Sequence, residues 1–167
     1  MPEMTEAREL FMHELGDILY AENMLVKALP KMAQEASDAE LRERLTEHLA
    51  ETRGQVDRLK RSFKSLGEKP SAEQCPGIEG IIAEHDDFME ENRPSPAIRD
   101  LFLTGAGART EHYEIAAYSG LIVMARALRE REVVELLGEN LREEKEALKA
   151  MEKAARRLSK ERAKAEA

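Results

Sequence analysis

The sequence predicts an all-α protein built as a bundle of four long helices. Ala, Leu, Glu, Lys, Arg and Met dominate the 167 residues, and all of them are good helix formers. No stretch of strand length alternates apolar and polar residues. Apolar residues instead recur three and four apart over four long segments, grouped as two pairs around one long central connection.

The first helix is expected from about Thr5 to Ala36, with Phe11, Leu15, Ile18, Leu19, Leu25, Val26 and Leu29 as its apolar stripe. Pro30 inside that pattern predicts a kink. The second helix starts at a capping box of Ser37 and Glu40, carries Leu41, Leu45, Leu49, Val56, Leu59 and Phe63, and ends at Leu66-Gly67. Glu68 to Gly77 reads as a loop, and a short extra helix over about Ile78–Glu91 follows it within the crossover. Ser95 as N-cap with Pro96 behind it starts the third long helix, which continues to about Leu128. The fourth runs from about Glu130 to Leu158. Residues 1–158 are thus expected to form a single domain, and 159–167 a frayed polar tail.

Composition removes several function classes. The formal net charge is -8, whereas polyanion binding needs a basic face, so no nucleic-acid partner is expected. No apolar run approaches the roughly 18–20 residues of a membrane span. The acidic start MPEMTEAREL has no apolar core of a signal peptide, and a single Cys excludes an internal disulfide, so a cytoplasmic protein is expected. Cys75 lies in a loop without a basic partner and reads as a packed residue. Gly105-Ala106-Gly107-Ala108 lacks the pattern of a phosphate loop and is better suited to close helix packing.

The two helix pairs also repeat. At an offset of 92 residues, Glu22 falls on Glu114, Leu29 on Leu121, Met32 on Met124, Leu45 on Leu137 and Glu51 on Glu143, with no gap. Two Leu/Glu-rich hairpins can match by composition alone. A true repeat would relate them by a pseudo-twofold axis and gather Glu22, Glu51, Glu114 and Glu143 around one point.

Wheel position selects the acids that matter. Glu22 falls in the middle of the stripe of Leu15, Ile18, Leu25 and Leu29, Glu114 in that of Leu103, Ala117, Tyr118 and Leu121, and Glu144 in that of Leu137, Leu141, Leu148 and Met151. An unpaired carboxylate there is costly to bury. Several facing one interior call for a shared cation, and a hard metal ion turns their repulsion into coordination; the alternative is that each sits near a bundle end or pairs with Arg or Lys. His48 and Glu51, three apart, can approach one ion from one side, and Glu111 sits one turn before Glu114. Glu51 and Glu143 lie on the flanks of their stripes and suit a solvated boundary equally well. Tyr118 and Gln55 are within reach as hydrogen-bond donors, with ordinary packing as the alternative. His13, His85 and His112 are read as surface residues.

Five segments, ILYAENMLVKALPKMA (Ile18–Ala33), HLAETRGQVDRL (His48–Leu59), the Cys75-Pro-Gly-Ile-Glu-Gly loop, EHYEIAAY (Glu111–Tyr118) and LREEKEAL (Leu141–Leu148), resemble the YciE/YciF family of the ferritin-like superfamily. The resemblance spans about Ala7 to Met151. It implies a ferritin-like four-helix bundle with a long crossover, a homodimer, a carboxylate-bridged dinuclear metal centre, and a role in stress responses; the oxygen-rich ligand set favours iron or manganese as that metal. The ferritin-like pattern has one Glu on each of two helices and Glu-x-x-His on the other two. Glu22 and Glu114 match the single acids. Glu51 is followed three residues on by Gly54, and Glu143 and Glu144 by Glu146 and Ala147, so neither usual His is in place. The metal ligands implied are Glu22, Glu51, Glu114 and either Glu143 or Glu144, with His48 and Glu111 as optional additions. The expected chemistry is reaction with peroxide or dioxygen. The alternatives are a non-catalytic scaffold with a degenerate site, or a storage cage.

Overall fold

A computed structural model of the chain describes residues 3–166. Five helices follow one another: α1 (Ala7–Glu35), α2 (Ala39–Ser65), α3 (Pro76–Asn92), α4 (Pro96–Ala127) and α5 (Arg131–Glu166). No strand occurs among the described residues. The hairpins α1–α2 and α4–α5 pack side by side, α1 on α4 and α2 on α5, which closes a ring of four helices around one apolar core. α3 lies outside that ring against α1 and α4.

The helix ends have local causes. Glu9 accepts from the Glu6 backbone N–H at 3.1 Å and so caps α1. α1 runs on through Pro30 to Glu35. The cap of α2 is Asp38, whose side chain accepts from Leu41 N at 2.9 Å, and not the Ser37–Glu40 box that the sequence suggests. Asp38 has the stronger claim because Arg157 of α5 reaches it at 2.6 Å and holds its carboxyl below the ordinary range. Ser37 instead gives its backbone N–H to Asp100 at 2.7 Å, which ties the start of α4 to the α1–α2 turn. Gly67, with φ of 78°, turns the chain out of α2 in the left-handed region that a side chain disfavours. Pro96 starts α4 behind Ser95 as expected. α5 continues through 159–166, where the sequence suggests a frayed tail. Lys, Arg, Glu and Ala there are good helix formers, and Arg162 pairs with Glu166 one turn on. Ala167, the last residue of that expected tail, lies outside the described residues.

Two glycines have opposite surroundings, and this gives the first prediction. Gly16 is buried in α1 where the crossover docks: Glu73 N donates to its carbonyl at 3.0 Å, and a Cβ would stand 2.8 Å from the Ser71 carbonyl oxygen. Gly120 on α4 faces open space. Ala gains about 1 kcal/mol over Gly in a helix interior. Overpacking against immobile backbone costs about 1–3 kcal/mol. Gly120→Ala should therefore raise the melting temperature by about 2–4 °C, and Gly16→Ala should lower it. Thermal unfolding followed by circular dichroism checks both, and equal shifts would remove the docking argument.

Candidate metal centre

Helical spacing brings nine polar side chains to the bundle axis. α1 supplies Glu22; α2 supplies His48, Thr52 and Gln55; α4 supplies Glu111, Glu114 and Tyr118; α5 supplies Asn140 and Glu144. Within each helix these residues are three or four apart and so share a face. All are buried, and Glu22, Glu114 and Glu144 are 0% exposed.

Four of them converge. One ligand atom each from His48, Glu111, Glu114 and Glu144 can be chosen so that all lie within 4.8 Å of one another. His48 Nε2 stands 3.2 Å from Glu111 Oε1 and 3.9 Å from Glu144 Oε2. On its other side, His48 Nδ1 is 3.1 Å from Glu51 Oε2, and Glu51 is held from behind by Arg44 at 2.8 Å. A carboxylate at Nδ1 favours the proton there and leaves Nε2 free to donate a lone pair inward, as in carboxylate–histidine–metal triads. The His48 contact and the Arg44 guanidinium pull the Glu51 pKa down to about 2.

The remaining contacts form a hydrogen-bonded chain. Tyr118 donates its hydroxyl proton to Glu22 and accepts from Asn140 Nδ2 at 2.9 Å. Gln55 donates from its amide to Glu144, Arg58 donates to Asn140, and Thr52 turns its hydroxyl to the His48 carbonyl at 2.9 Å. Even so, buried acceptors remain without a donor: both oxygens of Glu114, and one oxygen each of Glu22, Glu111, Glu144 and Gln55. Burial first, and repulsion from neighbouring carboxylates second, push the pKa values of Glu111 and Glu114 well above the ordinary carboxylate range. Glu22 is raised for the same reasons. Orphaned acceptors and carboxylates that resist ionisation around one imidazole are what a bound cation would satisfy, so the donor set fits a metal ion.

The structure separates the residues singled out in the sequence. His48, Glu111, Glu114 and Glu144 come together, Glu22 lies beside Glu114 but outside that group, and of the pair on α5 it is Glu144 that points inward. Glu143 lies on the flank with Arg58, which also reaches Glu139 at 3.2 Å. Glu51 likewise meets Arg44 and His48 and stays outside the four-residue group. The expectation that Glu51 and Glu143 meet Glu22 and Glu114 around one point is therefore corrected: one residue is about 100° of helix rotation, enough to aim Glu51 at Arg44 of its own helix and Glu143 at Arg58 across the bundle. Thr52 and Asn140 went unnoticed in the sequence. Their signal is a polar residue at an apolar-stripe position, and it is weaker than that of a buried acid.

The histidine readings need one further correction. His85 is buried, with Nε2 2.9 Å from Glu35 and Nδ1 2.8 Å from Asp86, because α3 lays that face against the bundle. His13 and His112 are exposed. Cys75 is a packed residue that caps α3 and lies 2.8 Å from the Tyr113 hydroxyl. Gly107 gives α4 its close approach to α5, since a Cβ there would meet Met151 Sδ at 2.9 Å.

An apolar cleft of about 200 Å³ opens between α1, α3 and α4, with Met24, Leu25, Ile81, Ile82 and Thr110 among its walls. Leu25 and Thr110 stand about one helical turn from Glu22 and Glu114, respectively.

The sequence matches, over residues 6–164, a family described as a domain of unknown function, DUF892. It is 36% identical over 143 residues to the protein YciF of Escherichia coli, covering 85% of this chain and 86% of YciF. The crystal structure of the E. coli stress protein YciF superposes with a TM-score of 0.89 at 33% identity, covering 94% of this chain and 99% of that one. YcfI of Rhodopseudomonas palustris, described as a proposed structural protein, gives a TM-score of 0.87 at 40% identity over 90% of this chain and 95% of that one. No described helix is long and apolar enough to cross a membrane.

Proposed function

The chain belongs to the DUF892 family, of which YciF is a relative, and from that premise we propose that it is a stress-response ferritin-like protein that binds non-haem iron or manganese in its core and reacts with peroxide or dioxygen. One observation carries this reading: four buried donors from three helices converge within 4.8 Å, while several of their oxygens have no hydrogen-bond donor. A stress protein placed among the relatives supports the physiological setting. The resemblance extends the proposal to a cytoplasmic homodimer without nucleic-acid or membrane partners.

The chain's own residues have defined parts. Glu51 and Arg44 hold the His48 ring so that Nε2 faces inward. Glu111, Glu114 and Glu144 supply negative oxygen, and Gln55 fixes the rotamer of Glu144. Tyr118 keeps a proton on the Glu22 carboxylate edge. Leucines and alanines around them exclude bulk water, and the cleft at Leu25 and Thr110 comes within about one helical turn of Glu22 and Glu114. A bound iron or manganese ion supplies the electron-transfer capacity that these side chains lack.

A second reading has its own support. Gln55 and Ala147 occupy the inward positions three residues after Thr52 and Glu144, so the usual histidines are missing, which favours a non-catalytic bundle with a degenerate centre. Metal analysis after anaerobic purification decides between them. Wild type should carry iron or manganese in stoichiometric amount and consume peroxide, and Glu144→Ala should carry none. A wild type that retains neither metal leaves the non-catalytic bundle.

A further inference from the structure

The repeat at offset 92 can now be set on the interior contacts. It keeps Glu22 opposite Glu114, but it places Thr52 opposite Glu144, Gln55 opposite Ala147, His48 opposite Asn140 and Leu19 opposite Glu111. The inward residues of the two hairpins are therefore unequal. His48, Glu111 and Glu144 join Glu114, while Glu22 has the Tyr118 hydroxyl on one oxygen and Glu114 as a neighbouring carboxylate.

Resting on the metal reading above, we infer that the centre is asymmetric: one ion is held tightly among His48, Glu111, Glu114 and Glu144, and the second position of a dinuclear centre, beside Glu22, is closed by the protein's own hydrogen bonds.

The contacts beside Glu22 support this directly. Glu22 has one oxygen engaged by the Tyr118 hydroxyl, and that hydroxyl is itself fixed by Asn140 at 2.9 Å. Arg58 fixes Asn140 in turn. Thr52, where the repeat would call for a bridging acid, spends its hydroxyl on the His48 carbonyl. Gln55, where a ligating imidazole would stand, donates an amide N–H to Glu144. What remains free beside Glu22 is its own second oxygen and the Gln55 carbonyl oxygen, together with the Glu114 oxygens that the first ion also draws on. Neither His nor Cys accompanies them, and among the described residues the only group of metal-capable side chains excludes Glu22. With the Glu114 oxygens shared with the first ion, one further carboxylate oxygen and one amide oxygen make a poor seat for an ion that must shed several waters. Glu22 acts instead as a positioning residue that orients Tyr118.

The test loads chelator-stripped full-length protein anaerobically with Mn(II) alone, removes unbound metal by desalting, and measures metal per chain together with the electron paramagnetic resonance spectrum. Wild type should retain one equivalent and show the sextet of an isolated Mn(II). Glu22→Gln should retain the same equivalent with affinity within about threefold, whereas Glu111→Gln should lose it. Two equivalents in wild type with a spin-coupled spectrum, or loss of the ion in a folded Glu22→Gln, overturns the asymmetry and leaves the metal reading standing. A wild type that retains no Mn(II) and, loaded in the same way, no Fe(II) overturns the metal reading and this inference with it. Circular dichroism of each variant establishes that it is folded, and the wild-type stoichiometry decides even where a variant is not.

Discussion

Glu114→Gln is expected to make the metal-free protein more stable and to abolish tight metal binding. Both Glu114 oxygens are buried without a partner, and Glu22, Glu111 and Glu144 stand around it with unpaired oxygens of their own. The substitution removes an ionisable carboxyl and points two amide N–H donors toward neighbours with unpaired oxygens. An unsatisfied buried group costs about 1–3 kcal/mol and more when charged, so a gain of about that size is expected at pH 8, where the acid is under most pressure to ionise. For a chain of this length, each kcal/mol moves the melting temperature by about 2–4 °C. Metal affinity should fall by about 100-fold or more, beyond the usual effect of a residue that only supports a ligand. Denaturant unfolding in the presence of chelator and a Mn(II) binding isotherm give both readouts. A less stable metal-free variant with unchanged affinity would mean that Glu114 is an ordinary structural acid.

Metal should stabilise the wild type strongly at pH 8 and weakly at pH 5. Burial holds the folded pKa values of Glu22, Glu111 and Glu114 above the ordinary 4.5. Their contribution to the metal-free fold is complete below that value. As pH rises, the unfolded chain loses its protons first, so the contribution shrinks through the folded values and metal-free stability declines. An ion must displace those same protons, so its affinity grows over the same interval. At a free concentration 100 times its dissociation constant, an ion adds about 2.7 kcal/mol, which raises the melting temperature by about 5–11 °C. Less than half of that is expected at pH 5. Asp38, whose pKa is lowered by Arg157, loses its contribution only below its ordinary 3.8 and does not disturb this window. Thermal scans with and without Mn(II) at the two pH values check it, and the metal-free slope should flatten in Glu114→Gln. Identical melting temperatures with and without metal at pH 8 would refute the expectation.

Four long helices were legible because their stripes repeat over many turns, and the extra crossover helix because Pro and Gly bracket it. Glu22, Glu114 and Glu144 were legible for the same reason: an acid in the middle of an apolar stripe has nowhere wet to go. Glu51 and Glu143 were harder, because a residue at the edge of a stripe turns inward or outward according to its neighbours on other helices. Here Arg44 sits behind Glu51 on the same helix, and Arg58 reaches Glu143 from α2. The second of these pairs joins distant parts of the chain, so no local spacing announces it. His85 belongs to the same class, since its burial depends on where α3 comes to rest against Glu35. The choice of Asp38 over Ser37 as cap of α2 followed from Arg157, again a distant partner.

The division of the central donors between the two hairpins has a mechanical consequence. His48 belongs to the first hairpin and Glu111, Glu114 and Glu144 to the second, and the peptide link between the hairpins passes through the exposed stretch after Gly67. A single ion held by these four side chains is a clasp. It would fasten two halves that otherwise hold together by packing, by ion pairs such as Arg157–Asp38 and by the exposed connection, and closing so long a loop restricts the unfolded chain more than a local contact would. Loaded protein should accordingly survive a protease nick in that connection as one particle, its halves parting only when chelator opens the clasp.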